Sequence, residues 1–417
     1  MGLRQNKSGF CYPNPEMEVQ TLKGFRDIEP TDALKRGRVL SLVKSIFKSY
    51  GFVPLETPTL EYASVLEGKY GEEGEKLIYK FQDRGGRAAA LRYDLTVPLA
   101  RYVAQNQGKL TFPFKRYQIG SVFRADKPQA GRYREFTQVD IDSVGVDSAL
   151  ADAEIMAVLA SVLQILGVKD FVVEVNDRTL FANLPPKAVH ILDKWDKIGK
   201  EKVKGELTQA GMDGAEIVKI FEKQTPTPRI EEAFKLVESF GIDKKVIKFN
   251  PLLARGLDYY TGLIFEVKVK GASGSLAGGG RYDKMLGIFT GQDIPAVGVS
   301  FGLDRLMEFV PEETVKDVPF TPQVLITVFS AELATKSIEI FNQVQGAGVD
   351  SEIYLDPQAK LEKQLKYADR KGIPFAVIAG PKELEKGVVL VKDLKKGTQD
   401  EIAAERLPHL FVSQPQG

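Results

Sequence analysis

The chain has 417 residues, with 57 Lys and Arg against 56 Asp and Glu, one cysteine and two histidines. Such a length accommodates two or three domains, and the near-cancelling charge carries no signature of nucleic acid, although a local basic patch would suffice for one. The lone Cys11 excludes an internal disulfide framework and a multi-cysteine metal site; with only His190 and His409, a Ser-His-Asp triad and a zinc site have no strong candidates.

No apolar run is long enough to span a membrane, and the first residues lack the apolar core of a signal peptide. Asn6 breaks the myristoylation pattern that Met1-Gly2 would open. The expectation is a cytoplasmic protein with no membrane contact. There is no short-period repeat and no Walker A loop, so any nucleotide must be held in another way.

Residues 1–20 read as a loose polar arm. Pro30-Thr31-Asp32 opens a helix whose apolar side is Leu34, Val39, Leu42, Val43, Ile46, Phe47 and Tyr50, and Gly51 ends it. The segment from Phe52 to Pro58 is extended; its prolines suit a sheet edge, a common place for a dimer contact. Residues 78–81 and 87–93 form a hairpin around Asp83-Arg84-Gly85-Gly86. It delivers Asp94 and Thr96 to the start of a helix, where both can cap, or where Asp94 can receive an ammonium group.

Residues 114–124 and 132–143 read as two long antiparallel strands joined by a polar loop. Odd positions carry Tyr117, Ile119, Phe123, Val139 and Ile141 and face the core. Even positions carry Arg116, Gln118 and Arg124, then Arg132, Arg134, Phe136, Gln138, Asp140 and Asp142. On that face arginines cluster near the loop and acids further in, which a merely solvated face does not require. Phe136 among arginines suits a stacked purine whose phosphates meet guanidinium groups.

A helix from about Ser148 to Leu166, capped by Asp147, precedes a strand from Phe171 to Val175. Residues 177–245 read as an inserted helical subdomain in which His190 and Trp195 serve packing. Next comes Arg255-Gly256-Leu257-Asp258-Tyr259-Tyr260-Thr261-Gly262, a loop running into a strand with alternating Phe265, Val267 and Val269. Arg255 offers a planar fork for phosphate or carboxylate, and two adjacent tyrosines on a strand would point to opposite faces. The glycine-rich run from Gly271 to Gly280 lets a backbone pass close to a ligand. Residues 296–307 read as a strand entering a helix with Arg305 in its first turn, where it can meet an anion or pair with Asp304 or Glu308. After a linker at 311–322 comes a small α/β domain with a mainly parallel sheet. Lys360, Lys363, Lys366, Arg370 and Lys371 there read as a solvated helix face.

Phe123-Arg124 with Gly131-Arg132-Tyr133-Arg134-Glu135-Phe136 resembles motif 2 of class II aminoacyl-tRNA synthetases. Gly302-Leu303-Asp304-Arg305-Leu306 resembles their motif 3, and the segment around Pro58 their motif 1. The Arg255 peptide and Gly279-Gly280-Arg281-Tyr282-Asp283 resemble two elements of the histidyl-tRNA synthetase branch. The resemblance covers residues 21–417 in the family's order. It implies an α+β catalytic domain at 21–320, an antiparallel sheet flanked by helices with a helical insertion, and an α/β anticodon-binding domain at 323–417. It also implies a homodimer through motif 1. Histidine and ATP would give histidyl-adenylate and pyrophosphate, and the acyl group would then pass to tRNA(His).

By the match to these motifs, Arg124 should hold the α-phosphate, Phe136 should stack on adenine, and Arg132 should reach the γ-phosphate. Arg305 should bind the terminal phosphates. Arg255 should meet the α-phosphate from the opposite side and adjoin the histidine, taking a charge-neutralising role that a metal plays in related enzymes. Mg²⁺ accompanies ATP as substrate; no tightly bound cofactor and no resident metal site are implied. Asp94, Thr96 and Gln138 match positions holding the amino group, while Asp142, Tyr260 and Tyr282 match the imidazole pocket, with Tyr259 beside them. Gln129 matches a loop position that reads the extra nucleotide at the tRNA acceptor end.

Two departures stand out: Asp94 and Asp142 occupy positions where bacterial-type sequences place Glu. Residues 91–97 and 140–142 resemble the archaeal and eukaryotic branch, whereas the short motif 2 loop resembles the bacterial one. Three rivals remain: a regulatory paralogue that partners ATP phosphoribosyltransferase, a sensing domain without ligase activity, and a synthetase for proline, threonine or glycine. The first typically lacks the C-terminal domain and has eroded motifs, both of which are intact here. Retained Arg124, Arg255 and Arg305 argue against the second, and the Arg255 peptide against the third. Adenylate formation is an in-line attack at phosphorus that needs positioning and positive charge, so the lack of a catalytic His or Cys is expected.

Overall fold

The computed structural model describes residues 19–127, 133–254, 259–272, 274–316 and 321–412. Arg255, Arg132 and Gln129, and the arm up to residue 18, lie outside the described residues. The chain divides into two compact units, Met1–Lys316 and Asp317–Gly417.

In the first unit, Pro30 starts the helix Pro30–Ser49 at a position where its fixed φ and missing N–H do no harm. Val39, Val43 and Phe47, spaced four apart, are fully buried along one side. β1 (Val53–Pro54) follows as an edge strand. β2 (Leu60–Tyr62), β3 (Lys80–Gln82) and β4 (Ala88–Leu91) make a small sheet in the order β2-β4-β3. The β3–β4 hairpin is as expected, and β2 joins it as a strand the sequence reading did not contain.

The main sheet adds β5 (Phe114–Phe123), β6 (Glu135–Val144), β7 (Phe171–Asp177), β8 (Ile247–Phe249), β9 (Leu263–Val269), β10 (Ala277–Arg281) and β11 (Ala296–Gly302). Its order is β1-β5-β6-β11-β10-β9-β7-β8. Pairing is antiparallel from β5 through to β7, and only the edge strands β1 and β8 run parallel to their neighbours. The odd positions of β5 and β6 face the main core, where Val139 and Ile141 are fully buried. The core is completed by the helix Ala149–Ile165, which is apolar on nearly every side and correspondingly buried. The even positions face the opposite layer, and Arg116, Gln118, Gln138, Asp140 and Asp142 on it are buried, not solvated.

Several expectations need correction. The helix Ala149–Ile165 is capped by Ser148, whose hydroxyl accepts from the Ala151 N–H; Asp147 instead pairs with Arg229 at 2.7 Å. The helical insertion is narrower than 177–245. Phe181, Leu192, Val203, Leu207, Val218 and Phe221 form a core of their own, which Trp195 packs against. The helix Pro228–Ser239, by contrast, places Ile230, Ala233 and Val237 in the main core, and β8 extends the main sheet beside β7. His190 is exposed and does not serve packing. The start of the expected linker is part of the first unit: Glu312–Val315 is a short helix with Val315 buried in the main core.

The second unit is built on a five-stranded sheet of β12 (Val324–Ile326), β13 (Ser351–Ile353), β14 (Phe375–Ile378), β15 (Val388–Asp393) and β16 (Gln399–Ala403). It is mixed: β12 pairs parallel with β13 and β14, whereas β14–β15 and β15–β16 are antiparallel. Helices Ala334–Gly346 and Leu361–Lys371 supply the crossovers between the parallel strands. On the second of these, Lys363 and Lys366 are exposed and pair with Asp356 and Glu362, in keeping with a solvated face. No helix among the described residues is long and apolar enough to cross a membrane.

One buried ion cluster ties the first unit together. Asp152 is fully buried and accepts from Arg281 Nε (3.1 Å) and Nη2 (2.8 Å) and from Arg229 Nε (2.7 Å). Asp152→Ala is expected to destabilise this unit by about 3 kcal/mol, because it removes the acid that two arginines share and leaves the buried Arg281 hydrogen bonds only to Asp283 and two carbonyls. The measurement is urea unfolding followed by a probe in the first unit; an unchanged midpoint would contradict this role.

Candidate active site

The polar face of the main sheet forms the floor of a cavity of ≈410 Å³. β6 supplies Gln138, Asp140 and Asp142 to it, because strand parity places all three on one face. Asp94 and Thr96 enter from the N-terminal end of the helix Thr96–Asn106, and Tyr259, Tyr260 and Tyr282 complete the wall. Gly298 on β11 lies opposite Asp142, and a Cβ there would sit 2.0 Å from Asp142 Oδ1. Glycine at this position lets the carboxylate lie across the neighbouring strand.

Asp142 accepts from the Tyr282 hydroxyl on Oδ1, and its Oδ2 lies 2.8 Å from Arg116 Nη2. Arg116 is fully buried; it also donates to the Leu95 carbonyl at 3.1 Å, while its Nε and Nη1 have no hydrogen-bond partner. The Arg116–Asp142 contact is close in distance without the alignment of a hydrogen bond. Asp140 accepts from Gln138 Nε2 at 3.0 and 3.2 Å. Burial pushes the Asp140 carboxyl up to about 7, with the Arg116 charge opposing and the Asp142 charge adding. Burial raises Asp142 too, against the Arg116 charge and the Tyr282 hydrogen bond. It also raises the Tyr260 and Tyr282 hydroxyls, which therefore remain neutral donors.

Asp94 caps the helix start with one oxygen and leaves the other without a partner. Its Oδ1 accepts from the Val97 N–H (3.0 Å) and the Tyr70 hydroxyl (3.1 Å), while Oδ2 is buried without a partner. Burial raises its carboxyl above the usual range, with the Val97 N–H the largest opposing influence. One oxygen is thus engaged by the helix start, and the other is unsatisfied in a residue that lines the cavity.

Tyr259 and Tyr260 do not diverge as two residues on a strand would. They precede β9 in a turn, and both line the cavity with ring centroids 5.0 Å apart in an edge-to-face contact. The ring of Tyr282 stands 6.1 Å from that of Tyr259.

A second cavity of ≈360 Å³ continues from the first, and Arg124, Gln138, Gly278 and Ser300 line both. Phe136, Tyr133 and Arg305 face this second space. Arg124 stands at the junction, its guanidinium carbon 4.4 Å from the Tyr93 ring centroid and 5.1 Å from that of Phe136. Its Nε donates to the Tyr93 carbonyl at 3.2 Å, which fixes the fork in place. A flat aromatic beside one arginine, in a cavity that a second arginine also lines, can hold a purine nucleotide, and the acids and phenols next door can hold a small cationic amino acid.

The structure therefore gathers Asp94, Thr96, Arg124, Gln138, Asp142, Tyr259, Tyr260 and Tyr282 on one cavity, and Arg124, Phe136 and Arg305 on the other. Asp140, Arg116 and Tyr70 were not assigned from sequence. The signal for the first two was present in strand parity, since the β5–β6 register sets Arg116 against Asp142 and Gln118 against Asp140. Tyr70 comes from a separate short segment, and only the fold brings it to Asp94. Among the described residues, no group of three or more His, Cys, Asp or Glu side chains is placed to hold a metal ion.

The family model for histidyl-tRNA synthetase matches residues 24–194 and 222–306, and that for an anticodon binding domain matches residues 323–414. The chain is 37% identical to the histidine–tRNA ligase of Cytophaga hutchinsonii, an alignment covering 95% of this chain and all of that one. It is 41% identical to the histidine–tRNA ligase of Aeropyrum pernix, with 90% and 93% covered. The crystal structure of histidyl-tRNA synthetase from a Nostoc species superimposes with a TM-score of 0.78 at 30% identity, covering 95% of this chain and 99% of that one. The family model's break between residues 194 and 222 falls on the insertion's separate core, and its two parts contain the strands that line both cavities. With both units matched and the relatives covered nearly end to end, the chain belongs to the histidyl-tRNA synthetase family, with the class II synthetase fold and a C-terminal anticodon-binding domain.

Proposed function

We propose that this chain is a histidine–tRNA ligase that activates histidine with ATP and transfers it to tRNA(His). The observation that carries the reading is the continuity of the two cavities through Arg124. Histidine lies over β6, its ammonium group on the free oxygen of Asp94 with Thr96 and Gln138. Its imidazole meets Asp142, Tyr260 and Tyr282, with Tyr259 packing beside them. Adenine stacks on Phe136. Arg124 holds the α-phosphate at the junction, Arg305 and Arg132 take the terminal phosphates, and Arg255 faces the α-phosphate from the other side.

ATP enters as its Mg²⁺ complex. The histidine carboxylate attacks the α-phosphorus in line, forming the acyl-phosphate bond as the bond to pyrophosphate breaks. No proton has to be removed from the nucleophile, so the protein supplies alignment and positive charge, not a base. A hydroxyl of the terminal ribose of tRNA then attacks the acyl carbon, the ester bond forming as the acyl–phosphate bond breaks and AMP and a proton leave, with Gln129 reading the extra acceptor nucleotide and residues 323–417 the anticodon. A homodimer forms through the segment around Pro58, between β1 and β2, where Val53 on β1 and Leu60 and Tyr62 on β2 are exposed apolar residues, and the site of action is the cytoplasm.

ATP–pyrophosphate exchange with each of the twenty amino acids is the decisive assay. Exchange is expected with histidine alone; exchange with another amino acid, or with none, would overturn the reading. In the same assay Arg255→Ala is expected to reduce exchange roughly 10²–10³-fold while circular dichroism and oligomeric state stay unchanged. Near-normal exchange would remove Arg255 from the mechanism. The pH profile carries a third expectation. With the Asp140 carboxyl near about 7, raising the pH deprotonates it and adds a negative charge beside a cationic substrate. Histidine's own imidazole titrates in the same range, so the expectation is read as a difference: the KM ratio of Asp140→Asn to the unmodified chain should rise between about pH 6 and about pH 8, because only the unmodified chain gains the charge. An identical profile in the variant would show that Asp140 does not govern it.

A further inference from the structure

We infer that Arg26 and Arg36 are positioning residues for the nucleotide cavity, acting by neutralising Asp304 and bracing the returning limb of the motif 2 loop and the strand that follows it. This rests on the reading of the ≈360 Å³ cavity as the ATP site.

Asp304 forms the partition between that cavity and a hollow of ≈280 Å³ on its far side, which Arg26 and Arg36 line. Sequence alone offered Arg305 as the partner of this acid, but the fold satisfies it otherwise. Its Oδ1 accepts from Arg26 Nη2 and from Arg36 Nη1, the latter at 2.5 Å. Its Oδ2 accepts from the Thr137 N–H at 3.2 Å, and Arg36 Nη2 donates to Thr137 Oγ1 at 2.9 Å. Thr137 follows Phe136 on β6, and Arg305 follows Asp304 in the short helix Leu303–Met307 that leaves β11. One carboxylate therefore ties the strand bearing the proposed adenine-stacking ring to the short helix bearing a proposed phosphate-binding arginine.

The same N-terminal segment grips the loop between β5 and β6. The Arg26 guanidinium lies 3.7 Å over the Tyr133 ring, itself part of the cavity wall. The Arg134 N–H donates to the Gly24 carbonyl at 2.8 Å. The Arg134 guanidinium donates to Asp126 O at 2.9 Å on the opposite limb and to Lys23 O at 3.3 Å. Residues 23–26 thus hold the returning limb, whose Arg134 in turn reaches the descending limb at Asp126.

Exposed ion pairs contribute little, but here the Asp304 side chain is 11% exposed and has two guanidinium partners. An acid in the wall of a triphosphate site would repel its ligand. Two cations behind it cancel that charge without occupying the space the phosphates need, in a setting where screening by water is weak.

The test uses the full chain with Arg26→Ala and Arg36→Ala, each alone and each combined with Asp304→Asn. ATP affinity is read by isothermal titration calorimetry, alongside KM for ATP, KM for histidine and the thermal midpoint. Each arginine variant should weaken ATP binding about tenfold, with KM for histidine and the thermal midpoint unchanged. Removing the acid charge in the same chain should restore ATP affinity to within about twofold of the unmodified protein. Unchanged affinity in the arginine variants overturns the inference. So does a loss that Asp304→Asn fails to restore, which would make the arginines direct ligands. A lowered thermal midpoint with equal rises in both KM values would reduce the cluster to a structural role and also overturn it. Should the unmodified chain show no exchange with histidine while calorimetry still follows the expected pattern, the ligase reading fails and this inference stands. An unmodified chain that does not bind ATP would overturn both.

Discussion

The site depends on charge held beneath the sheet. Arg116 is buried completely on β5 and faces Asp142 on β6, with Asp140 one step further along the same face. Removing ionised groups from water is costly; Arg116 offsets that cost for both acids, while the two acids oppose each other's charge. Burial raises both carboxyls, and Arg116 opposes that rise in each. One arginine faces two acids, so when both carboxyls are ionised the layer carries a net negative charge that a bound cation would offset. That imbalance is a physical basis for preferring a substrate with a basic ring and an ammonium group over a neutral amino acid of similar size.

The backbone makes room for this arrangement. Asp142 can lie flat across β11 only because Gly298 has no side chain there. Arg116 also reaches the Leu95 carbonyl, so the acid layer is joined to the junction that presents Asp94 and Thr96. The two ends of the proposed amino-acid site are therefore set by one buried guanidinium. At the other end of the cavity, Arg124 is held by the Tyr93 carbonyl between two rings and belongs to both spaces at once. A reaction that joins a carboxylate to an α-phosphate needs a cation at that junction, and no proton acceptor is missing from the arrangement.

The sequence was most legible where periodicity and local chemistry agree. The parity of residues 114–124 and 132–143 separated core from site face, and both strands formed in that register. Proline at a helix start and alternation in β9 were equally direct. Errors arose where local rules were extended past their range. Strand alternation was applied to Tyr259 and Tyr260, but the chain turns there and both rings reach one cavity. Helical periodicity in residues 228–239 was assigned to the insertion because pattern alone does not say which core a helix joins.

By itself, the sequence determined the composition of the two strand faces, the order of the motifs and the residues that carry cations and acids. Those follow from side-chain period and residue type, which are local properties. Only the tertiary structure decided the partners. It set Arg116 against Asp142, brought Tyr70 to Asp94, and gave Asp304 to Arg26 and Arg36 in place of its neighbour Arg305. The reason is that desolvation and charge pairing act through space. An acid's state and role are set by whichever groups the packed sheet and helices bring within a few ångströms, however far apart they lie in the chain.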